Sequence, residues 1–187
     1  MDERGTHVES YGVKEVELRD GRQVYLRSAQ VSDGDGFLGF TRGLSARSRD
    51  FMHGWANIVE DPHAQALAAK TDSAGHYALV AVAPAPPEGQ IVGYCWVDGL
   101  RGPDMPMLGI GIMDAYHEVG LGRVLLRAMT AHLAGLGVPR VKLGVWTDNA
   151  RARHVYESVG FHLDPALPAR VFDGRTELYM VAETGVQ

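Results

Sequence analysis

The segment 107–136 most constrains the fold, because it predicts a strand, a glycine-rich turn and a helix in direct succession. The strand Met107–Met113 alternates large apolar residues with Gly109 and Gly111, and the turn His117–Gly122 leads into a long apolar run. A helix leaves its first backbone N–H groups unpaired at the positive end of its dipole. A glycine turn at that point lets an anion approach closely, so the pattern predicts a phosphate-binding site.

The distribution of charge along the chain supports this interpretation. Residues 115–155 hold six arginines and lysines against two acidic residues, which gives a net charge of +4. The rest of the chain holds 12 basic and 21 acidic residues, a net charge of −9. A basic segment in an acidic chain favours an anionic ligand. Without the charge pattern, Gly120 and Gly122 could equally be loop glycines that allow a positive φ.

A second motif follows the next predicted strand, and it consists of Asn149, Ala152, Tyr156, Gly160 and Phe161 in the spacing Asn-x-x-Ala-x-x-x-Tyr-x-x-x-Gly-Phe. Together with the glycine turn, this motif resembles the GNAT superfamily of N-acetyltransferases. The family's turn reads (Gln/Arg)-x-x-Gly-x-(Gly/Ala). The second motif is complete, whereas the turn carries a histidine at the Gln/Arg position. The resemblance is close across these two motifs and looser over most of the chain.

The resemblance implies an α/β fold, with a mixed, mostly antiparallel sheet flanked by helices. The family's fourth and fifth strands diverge at the cofactor site. Residues 1–14 are predicted to be flexible, and 15–187 to form a single domain. Local patterns predict a hairpin around Asp20-Gly21 and a helix from Ser32 or Asp33 to about Arg42. The other predicted elements are helices at 45–48, 63–70 and 121–136, a helix capped by Asp148 or Asn149, and strands at 77–83, 91–98, 141–146, 161–163 and 176–181.

The resemblance also implies acetyl-CoA as co-substrate and assigns the binding residues. In this reading, the diphosphate meets the backbone N–H groups of Val119, Gly120, Leu121, Gly122 and Arg123. The backbone N–H near Ile112 meets the thioester carbonyl, and Asn149 lies near the cofactor arm. If the ring of His117 faces the diphosphate, protonation strengthens binding; the alternative is a ring that faces solvent.

Tyr156 is the catalytic residue that the resemblance implies, as the acid that protonates the departing thiolate. A core tyrosine is the alternative, since its helix face is apolar. The general base is not identified: the position of the family's glutamate is Pro106, and Asp98, Asp104 and Asp114 fit turn or strand-end roles. The bare face at Gly109 and Gly111 would suit an approaching pantetheine arm; the alternative is local packing.

These observations favour an N-acetyltransferase that moves an acetyl group directly to a small-molecule or peptide amine. Another acyl-CoA donor and a non-catalytic CoA-binding regulatory module remain alternatives. The negative charge argues against nucleic-acid and membrane partners, and the histidines lack metal-ligand spacing. The single cysteine, Cys95, fits a buried thiol and a cytoplasmic protein. A homodimer is left open. A Rossmann protein is disfavoured, because its Gly-x-Gly-x-x-Gly turn is absent.

Overall fold

The computed structural model describes residues 10–52, 68–70, 75–84 and 89–185, and within these ranges one nine-stranded sheet carries helices on both faces. The predicted helix at 63–70 lies outside the described residues except at 68–70, which are helical. The elements in chain order are β1 (Lys14–Glu17), β2 (Gln23–Ser28), α1 (Gly34–Gly43), α2 (Ala46–Asp50), β3 (His76–Ala83), β4 (Gln90–Asp98), β5 (Met107–Ile112), α3 (Leu121–Gly135), β6 (Arg140–Trp146), α4 (Ala150–Glu157), β7 (His162–Leu163), β8 (Arg170–Phe172) and β9 (Arg175–Glu183).

The sheet is antiparallel except at its centre. Its strand order is β1-β2-β3-β4-β5-β6-β9-β7, with β8 also paired to β9. Strands β5 and β6 are the parallel pair, and α3 crosses over between them. They pair only at Met107 with Lys142 and at Leu108 with Leu143, whereas β5 pairs with β4 along its whole length. The two strands therefore separate after Leu108, as predicted for the family's fourth and fifth strands.

The alternation of side chains on β4 divides the core into two layers. Cys95 and Val97 face the layer that contains the buried side of α3, while Tyr94 faces the layer formed with α1. Phe37 of α1 meets the Tyr94 ring edge to face, with centroids 4.8 Å apart. Trp96 stacks on Tyr94 at 5.0 Å. The period of two in this strand thus decides which residues meet each helix layer.

The bare face predicted at Gly109 and Gly111 is filled by the protein itself. A Cβ atom added at Gly109 would overlap the indole of Trp96, and one at Gly111 would overlap Met52. This face is therefore not open to a ligand, whereas pairing of a pantetheine arm along the edge of β5, where Gly111 lines a cavity, stays a prediction. Both glycines make room for large side chains from neighbouring elements, which is the packing alternative.

Two other segments differ from the sequence predictions. Within the segment predicted to be flexible, Tyr11 is attached to the sheet, because its N–H donates to Ser28 Oγ at 2.8 Å. The loop predicted before the last strand contains β8, which forms a hairpin with β9. Its turn is Asp173-Gly174, with φ of 48° and 74°. Positive φ at both residues suits a two-residue hairpin, so the Asp-Gly pair was the overlooked indication of β8.

Candidate functional site

A cavity of about 400 Å³ opens beside β5, at the end where this strand has separated from β6. The turn before α3 and the inward face of α4 form its other walls, and Phe51 and Met52 border it beyond α2. All the predicted site residues except Val119 line the cavity: Ile112, His117, Gly120, Leu121, Gly122, Arg123, Asn149 and Tyr156. Val119 packs instead against the core.

The first turn of α3 supplies backbone donors to this cavity. Gly120 precedes the helix with a φ of 94°, and its carbonyl accepts the first helical hydrogen bond, from Val124 N–H at 3.2 Å. No acceptor among the described residues pairs with the N–H groups of Leu121, Gly122 or Arg123. Unpaired N–H groups at the positive end of a helix dipole bind anions. The geometry therefore fits the diphosphate of CoA.

The side chain of Arg123 has a different role from its backbone. Its Nε donates to Ser158 Oγ at 2.7 Å, and its Nη2 lies 3.4 Å from His154 Nε2. These contacts join the beginning of α3 to α4. The two helices also lie close together at Gly122, where an added Cβ atom would lie 3.5 Å from the Val155 side chain.

The end of β5 directs backbone groups of Ile112 into the cavity. The N–H of Met113 donates to Val92 O on β4 at 2.9 Å, and backbone groups alternate in direction along a strand. The N–H and carbonyl of Ile112 therefore face away from β4. The carbonyl is occupied by His117, whose Nε2 lies 3.0 Å from the oxygen. The Ile112 N–H has no such protein partner among the described residues.

His117 is turned inward, and its side chain is only 18% exposed. A carbonyl can only accept, so Nε2 carries the hydrogen. Burial lowers the pKa of His117, and the nearby Arg151 lowers it further, while the bond to Ile112 and the charges of Asp114 and Glu118 oppose the shift. The alternative, a ring that faces solvent, does not hold. Stronger cofactor binding by the protonated ring stays a prediction.

Tyr156 lies on the inward face of α4, half-buried, and its ring centroid is 6.1 Å from that of Phe161. Burial raises the pKa of the Tyr156 phenol, and Cys95 raises it further. No described residue forms a hydrogen bond with its hydroxyl. A neutral phenol that borders the cavity without a protein partner can act as a proton donor.

Asn149 caps α4, since its side-chain oxygen accepts from Ala152 N–H at 3.2 Å. The oxygen is therefore used within the protein, which leaves the amide nitrogen as the group that can face the cavity. This cap accounts for the asparagine of the motif, because an N-cap side chain reaches the backbone N–H three residues later.

The three aspartates near β5 do not line the cavity. Asp98 binds His76 Nδ1 at 2.7 Å, at the end of β4 that pairs with the start of β5. Burial acts to raise the pKa of Asp114, but hydrogen bonds from Ser45 and Ser48 outweigh it and hold this pKa at about 2. Asp104 lies in an exposed loop. The interpretation of these residues as turn or strand-end groups agrees with these positions.

The hairpin between β1 and β2 brings a residue to the cavity that the sequence analysis missed. Arg19 lines the cavity, and its N–H donates to Val119 O at 3.1 Å. The Asp-Gly pair predicted the hairpin itself. No local pattern indicates that its tip reaches a turn about 100 residues later in the chain.

Three features together define a GNAT-type acyltransferase fold. A parallel pair of strands separates, a glycine turn begins the helix beside the gap, and a tyrosine of the next helix lies at the gap. The sequence pattern of the Acetyltransferase (GNAT) family matches residues 43–161, and the chain belongs to this family. The match includes both motifs and all the predicted site residues.

Known relatives and solved structures agree with this family. A segment of 56 residues is 50% identical to a mycothiol acetyltransferase of Nocardioides sp.. This segment covers 29% of the present chain and 19% of that protein. The matched segments span between 19% and 31% of the curated relatives' own length. The GNAT domain of S. lividans PAT superposes with a TM-score of 0.73 at 19% identity, over 89% of this chain and 95% of that one. Mycobacterium smegmatis RimJ, in complex with CoA-disulfide, superposes with a TM-score of 0.69 at 16% identity, over 94% and 88%.

The described residues contain no group of three or more His, Cys, Asp or Glu side chains arranged to hold a metal ion. No helix in the same residues is long and apolar enough to cross a membrane.

Proposed function

We propose that the chain is an N-acetyltransferase that uses acetyl-CoA and a primary amine, carried by a small molecule or a peptide. The observation that carries this proposal is the single cavity shared by the open N–H groups of α3, the end of β5 and the Tyr156 phenol. Membership of the GNAT family supports acetyl transfer as the reaction. The mycothiol acetyltransferases among the relatives support the same group transfer, although they match over a minor part of their length.

The residues around the cavity fit acetyl-CoA in kind and in arrangement. The N–H groups of Leu121, Gly122 and Arg123 would hold the diphosphate, because they are unpaired within the described protein and lie at the helix dipole's positive end. Asn149 would contact the cofactor arm through its amide nitrogen. Acetyl-CoA supplies an activated acetyl thioester, and the protein binds and orients it.

Two groups of the protein would act on the reacting atoms. The N–H of Ile112 faces the cavity and would donate a hydrogen bond to the thioester carbonyl, where negative charge develops. The phenol of Tyr156 would hold the proton that the departing thiolate requires, because its raised pKa keeps it neutral. Phe161 packs against the ring and fixes its position.

The acetyl group would pass directly to the amine, because the protein's cysteine is not available to form an acyl-enzyme. Cys95 is fully buried on β4, and burial raises the pKa of its thiol, so it is not a reactive thiolate. The position of the family's glutamate is Pro106, and the aspartates near β5 do not line the cavity. Glu118 and His154 do line the cavity, so one of these side chains, or water, would take the proton of the amine.

Release of free thiol from acetyl-CoA tests the proposal across a panel of polyamines, amino sugars, free amino acids and peptide α-amines. We expect one amine class to give thiol release together with an acetylated product by mass spectrometry. The intact protein, incubated with acetyl-CoA alone, should gain no acetyl group. CoA binding without turnover on every amine would instead favour the non-catalytic binding module, and the absence of CoA binding would contradict the proposal as a whole.

A further inference from the structure

The tip of the β1–β2 hairpin is bonded to the glycine turn that precedes α3. The N–H of Arg19 donates to Val119 O at 3.1 Å, and its Nη2 donates to Glu118 O. Glu118 adopts a φ of 62°, which an amino acid with a side chain rarely adopts. The hairpin therefore supports a strained part of the turn from outside it.

The Arg19 side chain extends from this contact across Gly120. A Cβ atom added at Gly120 would lie 3.5 Å from Arg19 Nε and 3.6 Å from its Cγ. The residue is exposed, lines the cavity and forms no ion pair with a described carboxylate. A guanidinium has five N–H donors, and the carbonyl of Glu118 uses one side of the group. Donors of Arg19 thus remain beside the open N–H groups of α3.

The neighbouring Arg22 shows how the same hairpin places an arginine that serves structure alone. Its Nε forms an ion pair with Asp20 at 2.7 Å, and its Nη2 donates to Ala115 O at 2.7 Å. The guanidinium lies over the Tyr116 ring, 4.0 Å from the centroid. Arg22 is neutralised and does not line the cavity. It therefore offers a matched control for Arg19.

We infer that Arg19 is a cofactor-binding residue whose guanidinium donates to the diphosphate of CoA, a role that rests on the proposed function. The diphosphate is the expected partner because Arg19 lies over Gly120, next to the unpaired N–H groups of Leu121 and Gly122. Arginine suits this role, since its planar fork can pair with two phosphate oxygens at once. A residue from the first hairpin thereby completes a binding site that the motifs place much later in the chain.

Affinity measurements with three ligands test this role in Arg19→Gln, Arg22→Gln and the unmodified protein. CoA and 3′-dephospho-CoA would be titrated by calorimetry, and pantetheine, which lacks the diphosphate as well as the 3′-phosphoadenosine, by NMR. We expect Arg19→Gln to weaken CoA and dephospho-CoA equally, by about tenfold, as for loss of an exposed charge-assisted hydrogen bond. Pantetheine binding should not change. Arg22→Gln should leave the affinities for all three ligands unchanged.

Each other result overturns the assignment in a recognisable way. A loss of affinity for CoA but not for dephospho-CoA would show that Arg19 contacts the 3′-phosphate instead of the diphosphate. An equal loss of affinity for pantetheine, or a matching loss of CoA affinity in Arg22→Gln, would show that Arg19 only stabilises the turn. Thermal unfolding of each variant separates such a loss from misfolding, and Arg19→Lys should recover part of the affinity. Failure of the unmodified protein to bind CoA would instead reject the proposed function.

Discussion

The Nε2 atom of His117 lies 3.0 Å from the carbonyl oxygen of Ile112, and this bond joins the glycine turn to the end of β5. It occupies a backbone acceptor that the strand would otherwise present to the cavity, and it leaves the N–H of Ile112 without a partner among the described residues. The histidine that departs from the family's Gln/Arg pattern is therefore part of the cavity wall. Its ring orients the strand whose N–H is proposed to meet the thioester.

Substitution of His117 tests this bond. His117→Ala should lower the free energy of unfolding by about 1 to 2 kcal/mol, because it leaves a half-buried carbonyl without its donor. His117→Gln should retain most of the stability and of the CoA affinity, since a glutamine amide can donate to the same oxygen. Chemical denaturation and calorimetry measure the two quantities. Equal behaviour of the alanine and glutamine variants would show that the bond is unimportant.

The pKa of His117 predicts how stability responds to acid. Burial and Arg151 lower this pKa below its ordinary value of 6.5, so the folded protein holds the ring neutral more strongly than the unfolded chain does. The ring's contribution to stability is therefore complete above pH 6.5 and is lost as pH falls through the folded-state pKa. We expect the unmodified protein to lose more stability than His117→Gln between pH 7 and pH 5. Parallel stability curves for the two proteins would contradict the prediction.

Gly120 should be needed both for the turn and for the cofactor. Its φ of 94° is unfavourable for any other residue, so Gly120→Ala should cost about 1 to 2 kcal/mol of stability and also weaken CoA binding. Gly137, at the other end of α3, has a φ of 74° with no neighbouring atom near its Cβ position. Gly137→Ala should therefore cause a similar loss of stability with no change in CoA affinity. A matching loss of affinity in both variants would mean that general destabilisation is responsible.

Tyr156→Phe removes the proposed acid and keeps the ring against Phe161. Turnover should fall by roughly ten- to a thousandfold, the range for loss of a general acid, with little change in CoA affinity. Steady-state kinetics with the amine found in the panel measure this change. Tyr179→Phe is the control, because it removes a hydroxyl that accepts from Arg170 at 3.3 Å outside the cavity. Unchanged turnover in Tyr156→Phe would return this residue to a purely structural role.

Gly109 should be intolerant of a side chain for reasons of packing alone. A Cβ atom there would overlap the Trp96 indole, so Gly109→Ala should cost about 1 to 3 kcal/mol of stability. Gly135→Ala, in α3 with no neighbour near its Cβ position, should be neutral or stabilising. Thermal unfolding measures both variants. A fully stable Gly109→Ala protein would mean that the indole moves aside easily.

Much of the fold and of the candidate site follows from short stretches of sequence. The hairpin at Asp20-Gly21, the helices that begin near residues 45 and 150 and the strand at 91–98 depend on neighbours within a few residues, and the structure has each of them. The motif of the glycine turn is equally local, since a helix N-terminus and a positive φ are properties of adjacent residues. Such patterns can be recognised without knowing what lies across the sheet.

The sequence by itself therefore determined the family, the order of the elements other than β8, and the turn and tyrosine that border the cavity. Tertiary structure alone decided that Trp96 covers Gly109, that His117 turns to Ile112 and that Arg19 reaches a turn 99 residues away, at Glu118. The physical reason is that these contacts join separate elements, whose meeting depends on strand register and helix packing over the whole sheet. A side chain's local sequence describes what it can bond to, whereas the assembled fold selects the partner.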